Sequence, residues 1–142
     1  MFEFSNIIWR HAAIVAIGLA GLGAAPALAA GGACAGVKVE VTQARKGEYA
    51  PLVASAIGNR IKPAQVTFNA ILESGDWSAA YVSTPVSDDG VMFFQRVGGK
   101  KRLRDVWGGY AEASEKPELV SWARKLGVPR NLARCFAQAM TE

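Results

Sequence analysis

The chain has 142 residues, about half of them apolar, and carries 16 Lys plus Arg against 12 Asp plus Glu for a net charge of +4. That is enough apolar material for one domain with its own core, which excludes a disordered polar chain. The single histidine, His11, lies near the N-terminus, so the rest of the chain lacks the side chain most often used as a general base or zinc ligand.

The first 29 residues read as a cleavable export signal. Arg10 and His11 form a short basic start, Ala12 to Ala25 run without a charge, Pro26 breaks the run, and Ala27-Leu28-Ala29 offers the small-x-small cleavage pattern. The run is shorter than the roughly 20 apolar residues that a spanning helix needs. Residues 30–142 are therefore expected as a single periplasmic or secreted domain with no stable membrane span after cleavage. Processing removes one acid (Glu3) and one base (Arg10), so the charge balance of +4 stays. Cys34 and Cys135 are the two cysteines, and in an exported chain they read as one disulfide closing the domain. Acylation of Cys34 is the competing reading, but Gly31-Gly32-Ala33 before it fits a lipidation signal poorly and Cys135 would be left unpaired.

In chain order, Val37, Val39 and Val41 alternate with polar residues as in a half-buried strand. A helix is expected from about Glu48 to Asn59, with Tyr49, Leu52, Val53, Ala56 and Ile57 on its apolar face and Pro51 tolerated in its first turn. Four strands are expected over Ala64–Leu72, Trp77–Thr84, Val91–Val97 and Lys100–Trp107. Their links are Glu73 to Asp76, Pro85 to Gly90 and the tight Gly98-Gly99 turn. Pro117 opens a helix that Gly127 stops, and Pro129 opens another that carries Leu132, Cys135 and Phe136. The expected class is α+β, order β-α-β-β-β-β-α-α: a four-stranded antiparallel meander, five strands if the first one joins, packed on helices.

The first six of these elements resemble cystatin-like folds in their order, an analogy of architecture only. The Q-x-V-x-G loop of cystatin inhibitors does not occur, so the resemblance carries over no inhibitory residue.

A two-residue turn at Gly98-Gly99 pairs Val97 with Lys100, Gln95 with Arg102, Phe93 with Arg104 and Val91 with Val106. Met92, Phe94, Leu103 and Trp107 then share the other face. In the first hairpin, pairing Leu72 with Trp77 gathers Val66, Phe68, Ala70, Ala79 and Tyr81 as a second apolar set. These two sets are expected to form the core face. The opposite face would present Lys100, Arg102 and Arg104 as a row of cations, with Gln95 and Phe93 beside them as polar and stacking partners for an anionic ligand. The alternative is an edge strand charged against aggregation.

No metal, cofactor or catalytic motif emerges. Asp88-Asp89-Gly90 lacks the further carboxylates of a calcium loop, Glu73 and Asp76 flank a tight turn, and no S-x-x-K spacing occurs among the serines. Trp107-Gly108-Gly109-Tyr110 suggests core filling by Trp107, or a partner contact through Tyr110. Paired aromatic nucleic-acid motifs are missing as well, so no nucleic-acid partner is expected. The expectation is a non-enzymatic exported binding domain for an anionic envelope component or another exported protein. The alternatives are an accessory subunit of an envelope complex and an enzyme with an unrecognised site.

Overall fold

The computed structural model describes residues 32–142. The expected signal, residues 1–29, lies outside them. After a 3-10 turn at Gly32–Cys34 come β1 (Lys38–Val39), α1 (Gln43–Ala56), β2 (Thr67–Ser74), β3 (Trp77–Thr84), β4 (Ser87–Val97), β5 (Lys100–Gly108), α2 (Lys116–Leu126) and α3 (Arg130–Thr141). The strands form one antiparallel sheet in the order β1-β2-β3-β4-β5, an α+β fold built on a meander. No helix among the described residues is long and apolar enough to cross a membrane.

The sheet is covered on both faces, and this corrects the expectation of one core face. Tyr49 and Val53 of α1 pack on Ile71, Ala80, Val82, Met92 and Phe94. On the other side, Leu119 and Ala123 of α2 and Leu132 and Phe136 of α3 pack on Leu72, Trp77, Ala79, Val91 and Phe93. The reason lies in the central strands. Ala79 to Val82 and Val91 to Phe94 are unbroken apolar runs, which suit strands buried on both faces rather than an amphipathic sheet.

Turn chemistry shifts two registers. Gly75, at φ 58°, lets the first hairpin close with a two-residue turn, so Ser74 pairs with Trp77 and Leu72 with Ala79 instead of Trp77. A shift of two keeps Ala70, Leu72, Ala79 and Tyr81 on one face. A bulge between Phe68 and Ala70 then sends Phe68 and Val66 to the α1 side. The link between β3 and β4 is also shorter than expected, because Thr84 pairs with Ser87 around Pro85-Val86. Asp88 and Asp89 are strand residues, and no group of potential metal ligands occurs among the described residues.

α1 starts earlier than expected because Thr42 caps it, its hydroxyl accepting from the Arg45 N–H at 3.2 Å. Pro51 therefore sits mid-helix rather than in the first turn, where it forfeits one backbone bond on an exposed face. At the far end of the chain, Cys34 and Cys135 form the disulfide across 101 residues of sequence, with Cα atoms 4.4 Å apart. The Cys34 thiol is consumed there, which removes the atom that acylation requires.

Candidate anion-binding hairpin

The β4–β5 hairpin turns at Gly98 and Gly99, both at positive φ (59° and 79°), the conformation a two-residue hairpin favours. Val97 pairs with Lys100, Gln95 with Arg102 and Phe94 with Leu103, as the sequence predicts. Past Leu103 the register breaks. Phe93 pairs with Asp105 and Val91 with Trp107, so Arg104 is the extra residue of a bulge.

The bulge decides where the expected site residues stand. Lys100 and Arg102 share a face with Gln95 on the exposed end of the hairpin. Arg104 swings to the same side, where its Nη1 donates to Gln95 Oε1 at 2.6 Å and its guanidinium lies 5.7 Å from the Trp77 ring centroid. Phe93 does not belong to this group. It is 0% exposed, set edge-on against Phe136 with ring centroids 5.0 Å apart and against Trp122 at 5.6 Å. The stacking surface expected of Phe93 is therefore buried, and Trp77, itself only 7% exposed, is a platform for the Arg104 guanidinium rather than a free face for a ligand. The β3–β4 register, set by the turn at Pro85-Val86 and the irregularity between Val82 and Thr84, is what brings Trp77 opposite Gln95.

Arg96, Lys100, Lys101, Arg102 and Arg104 put five cations within nine residues. Among the described residues only Lys101 has an acidic partner, Glu48 at 2.8 Å, while the other four have none within 4.0 Å. At the opposite end of the sheet, near Pro85-Val86 and the exit of β5, stand Asp88, Asp89 and Glu112. The end at the Gly98-Gly99 turn thus gathers the five cations, with Asp76 of the neighbouring turn beside Arg96, while Asp88, Asp89 and Glu112 stand at the other end.

Beneath α1 lies a polar cluster that sequence reasoning missed. Arg45, on the buried side of α1, faces Glu73 at 2.8 Å, off the line of a good N–H bond. Lys101 Nζ sits 4.7 Å from the Tyr49 ring centroid. Burial pushes the Tyr49 phenol up from its ordinary value near 10.0, with Ser78 and Lys101 pulling it back in part. For Lys101, burial works against the ammonium, but Glu48 and Tyr49 outweigh it and raise the pKa. Ser78, Tyr49 and Lys101 thus bring a hydroxyl, a phenol and an amine to one place. At 1% exposure, however, Ser78 gives a substrate no approach to its hydroxyl. The spacing of these residues along the chain hides the cluster, and only the register places Ser78 across from Glu73 and Phe94.

Comparison with protein-family models, with curated proteins and with solved structures found no match. The functional reading therefore rests on the geometry.

Proposed function

We propose that this is an exported binding domain, without catalysis of its own, that holds an anionic envelope component through the β4–β5 hairpin. The observation that carries the reading is the concentration of four cations without acidic partners at one end of the sheet. Like charges this close repel one another, a cost that an anionic partner relieves. Arg104 is already oriented by Gln95 and Trp77, so less side-chain freedom is lost when it meets a carboxylate, sulfate or phosphate. Arg102 and Lys100, exposed beside it, add charge with little desolvation cost. Export is supported by the disulfide, since such bonds persist in oxidising compartments.

The test is binding to heparin and to polyphosphate as probe polyanions, at low and at physiological salt. The parent protein is expected to bind both at low salt and to weaken as salt screens the contacts. Replacing Arg102 and Arg104 together with Gln should lower low-salt affinity by about ten-fold or more, as loss of two charge-assisted contacts implies. Both residues are exposed, so the thermal midpoint should hold. A double variant that binds like the parent would mean the cations only solvate an edge strand.

A further inference from the structure

A second concave surface lies at the acidic end of the molecule, where the exit of β5 meets the start of α2. Trp107, Tyr110, Ala111, Glu115, Glu118, Leu119 and Trp122 line a cavity of about 300 Å³. Its size is at the lower end of small-molecule sites. Trp107 and Trp122 each lean on Phe136, at ring-centroid separations of 5.6 and 6.0 Å, so the core fixes their positions from beneath. Tyr110 differs. It is 91% exposed and follows two glycines, of which Gly109 holds φ 120°, so the turn projects the ring into solvent rather than into the core. A tyrosine this exposed is not there to fill a core, whereas Trp107 and Trp122 remain partly open beside it.

The charged side chains that line this cavity are both carboxylates. One Glu115 oxygen accepts from the Glu112 N–H at 2.6 Å, and neither Glu115 nor Glu118 has a cation within 4.0 Å among the described residues. The nearest basic residue in sequence, Lys116, donates instead to Gln138 at 2.8 Å. Among the described residues no cationic side chain lies over Trp107, Tyr110 or Trp122. An anionic ligand would meet two like charges here. A cation with an apolar body meets three aromatic side chains and two carboxylates.

We propose that this cavity is a binding site for organic cations, an ammonium or guanidinium group on an apolar stem, held over Trp107, Tyr110 and Trp122 and neutralised by Glu118 and Glu115. The rings attract the cation through their electron-rich faces, and the apolar stem is removed from water against Leu119 and Ala111. The site is separate from the basic hairpin and takes ligands of the opposite charge.

The experiment follows the tryptophan indole N–H signals by NMR while the purified protein is titrated with choline. Parallel titrations use the neutral carbon isostere of choline and capped lysine and arginine amides. Saturable shifts of the Trp107 and Trp122 signals with choline, and none with the neutral isostere, support the site. The capped amino acids tell a free small cation from a basic side chain of a peptide, since whichever saturates at lower concentration names the source. Tyr110→Ala and Glu118→Gln alter exposed side chains and should each weaken binding by about two- to five-fold, the scale of one exposed cation–ring or charge contact. Equal binding of the neutral isostere, unchanged affinity in both variants, or no shift with any cation would each overturn the proposal.

Discussion

Tyr49 and Lys101 show how one side chain serves two purposes at the α1 interface. The Lys101 ammonium rests over the Tyr49 ring and pairs with Glu48, so a cation on an edge strand becomes part of the packing beneath a helix. The same arrangement sets a pH limit. Both groups have their pKa raised in the folded protein, Tyr49 by burial and Lys101 by Glu48 and Tyr49 against the opposing effect of burial. A raised pKa means the folded state holds the proton more tightly than the unfolded chain does. The stabilisation is complete below the ordinary values of 10.0 and 10.5 and is lost as pH climbs through the higher folded values. Thermal stability should therefore fall above about pH 10, where the unfolded-chain values of tyrosine and lysine lie. Tyr49→Phe should flatten that fall, because the phenol no longer titrates. Melting curves from pH 8 to 11 check this, and an equally steep alkaline loss in the variant would rule Tyr49 out as its source.

Among the elements, the α2–α3 corner and the basic hairpin are joined through Trp77. Gly127 ends α2 at φ 106°, a left-handed cap, and a Cβ added there would stand 3.3 Å from Trp77 Cζ2. Gly127→Ala is thus expected to cost about 1–3 kcal/mol from backbone strain, with crowding of the indole in addition. Because Arg104 stacks on the same ring, the substitution should also shift the Trp77 environment and weaken polyanion binding, although it lies outside the hairpin. Denaturant unfolding read by tryptophan emission, with heparin affinity measured alongside, tests both effects. A variant as stable as the parent would show that the corner yields without moving Trp77. Much at this scale was legible in the sequence. Proline and glycine marked the last two helices, and Gly98-Gly99 fixed the pairing of Gln95 with Arg102. Bulges were not legible, because one extra residue changes no local propensity. The one at Arg104 moved Trp107 to the α2–α3 side and left Phe93 opposite Asp105. The two-sided core was written in Val91 to Phe94, yet such a run gains meaning only when helices from both ends of the chain claim its faces.

Taken as a whole, the described residues form a sheet with their two ends tied together on one side. The disulfide is one tie, and Asn131, one turn before Cys135 on α3, is another. Its Nδ2 donates to the Gly36 carbonyl at 3.3 Å, while its Oδ1 accepts from Ser74 Oγ at 3.0 Å. A single helical face therefore holds the start of the domain, the end of β2 and the sulfur of Cys34. Both cysteines are buried in the α2–α3 core, so the bond is shielded from solvent reductants. Closing a loop of this length stabilises the fold by about 4–5 kcal/mol in the chain-entropy account, and native disulfides of small exported domains contribute roughly 2–5 kcal/mol. Cys135→Ser should lower the thermal midpoint on the order of 10–20 °C for a domain of this size. The sheet should still form, because Asn131 and the β1–β2 pairing continue to hold the N-terminal segment. Protein recovered from outside the cytoplasm should begin near Ala30 and show no thiol that reacts without a reductant. Mass spectrometry with thiol labelling reads the cleavage point and the bond together. A full-length mass would refute export by cleavage, and two labelled cysteines in folded exported protein would refute the clamp.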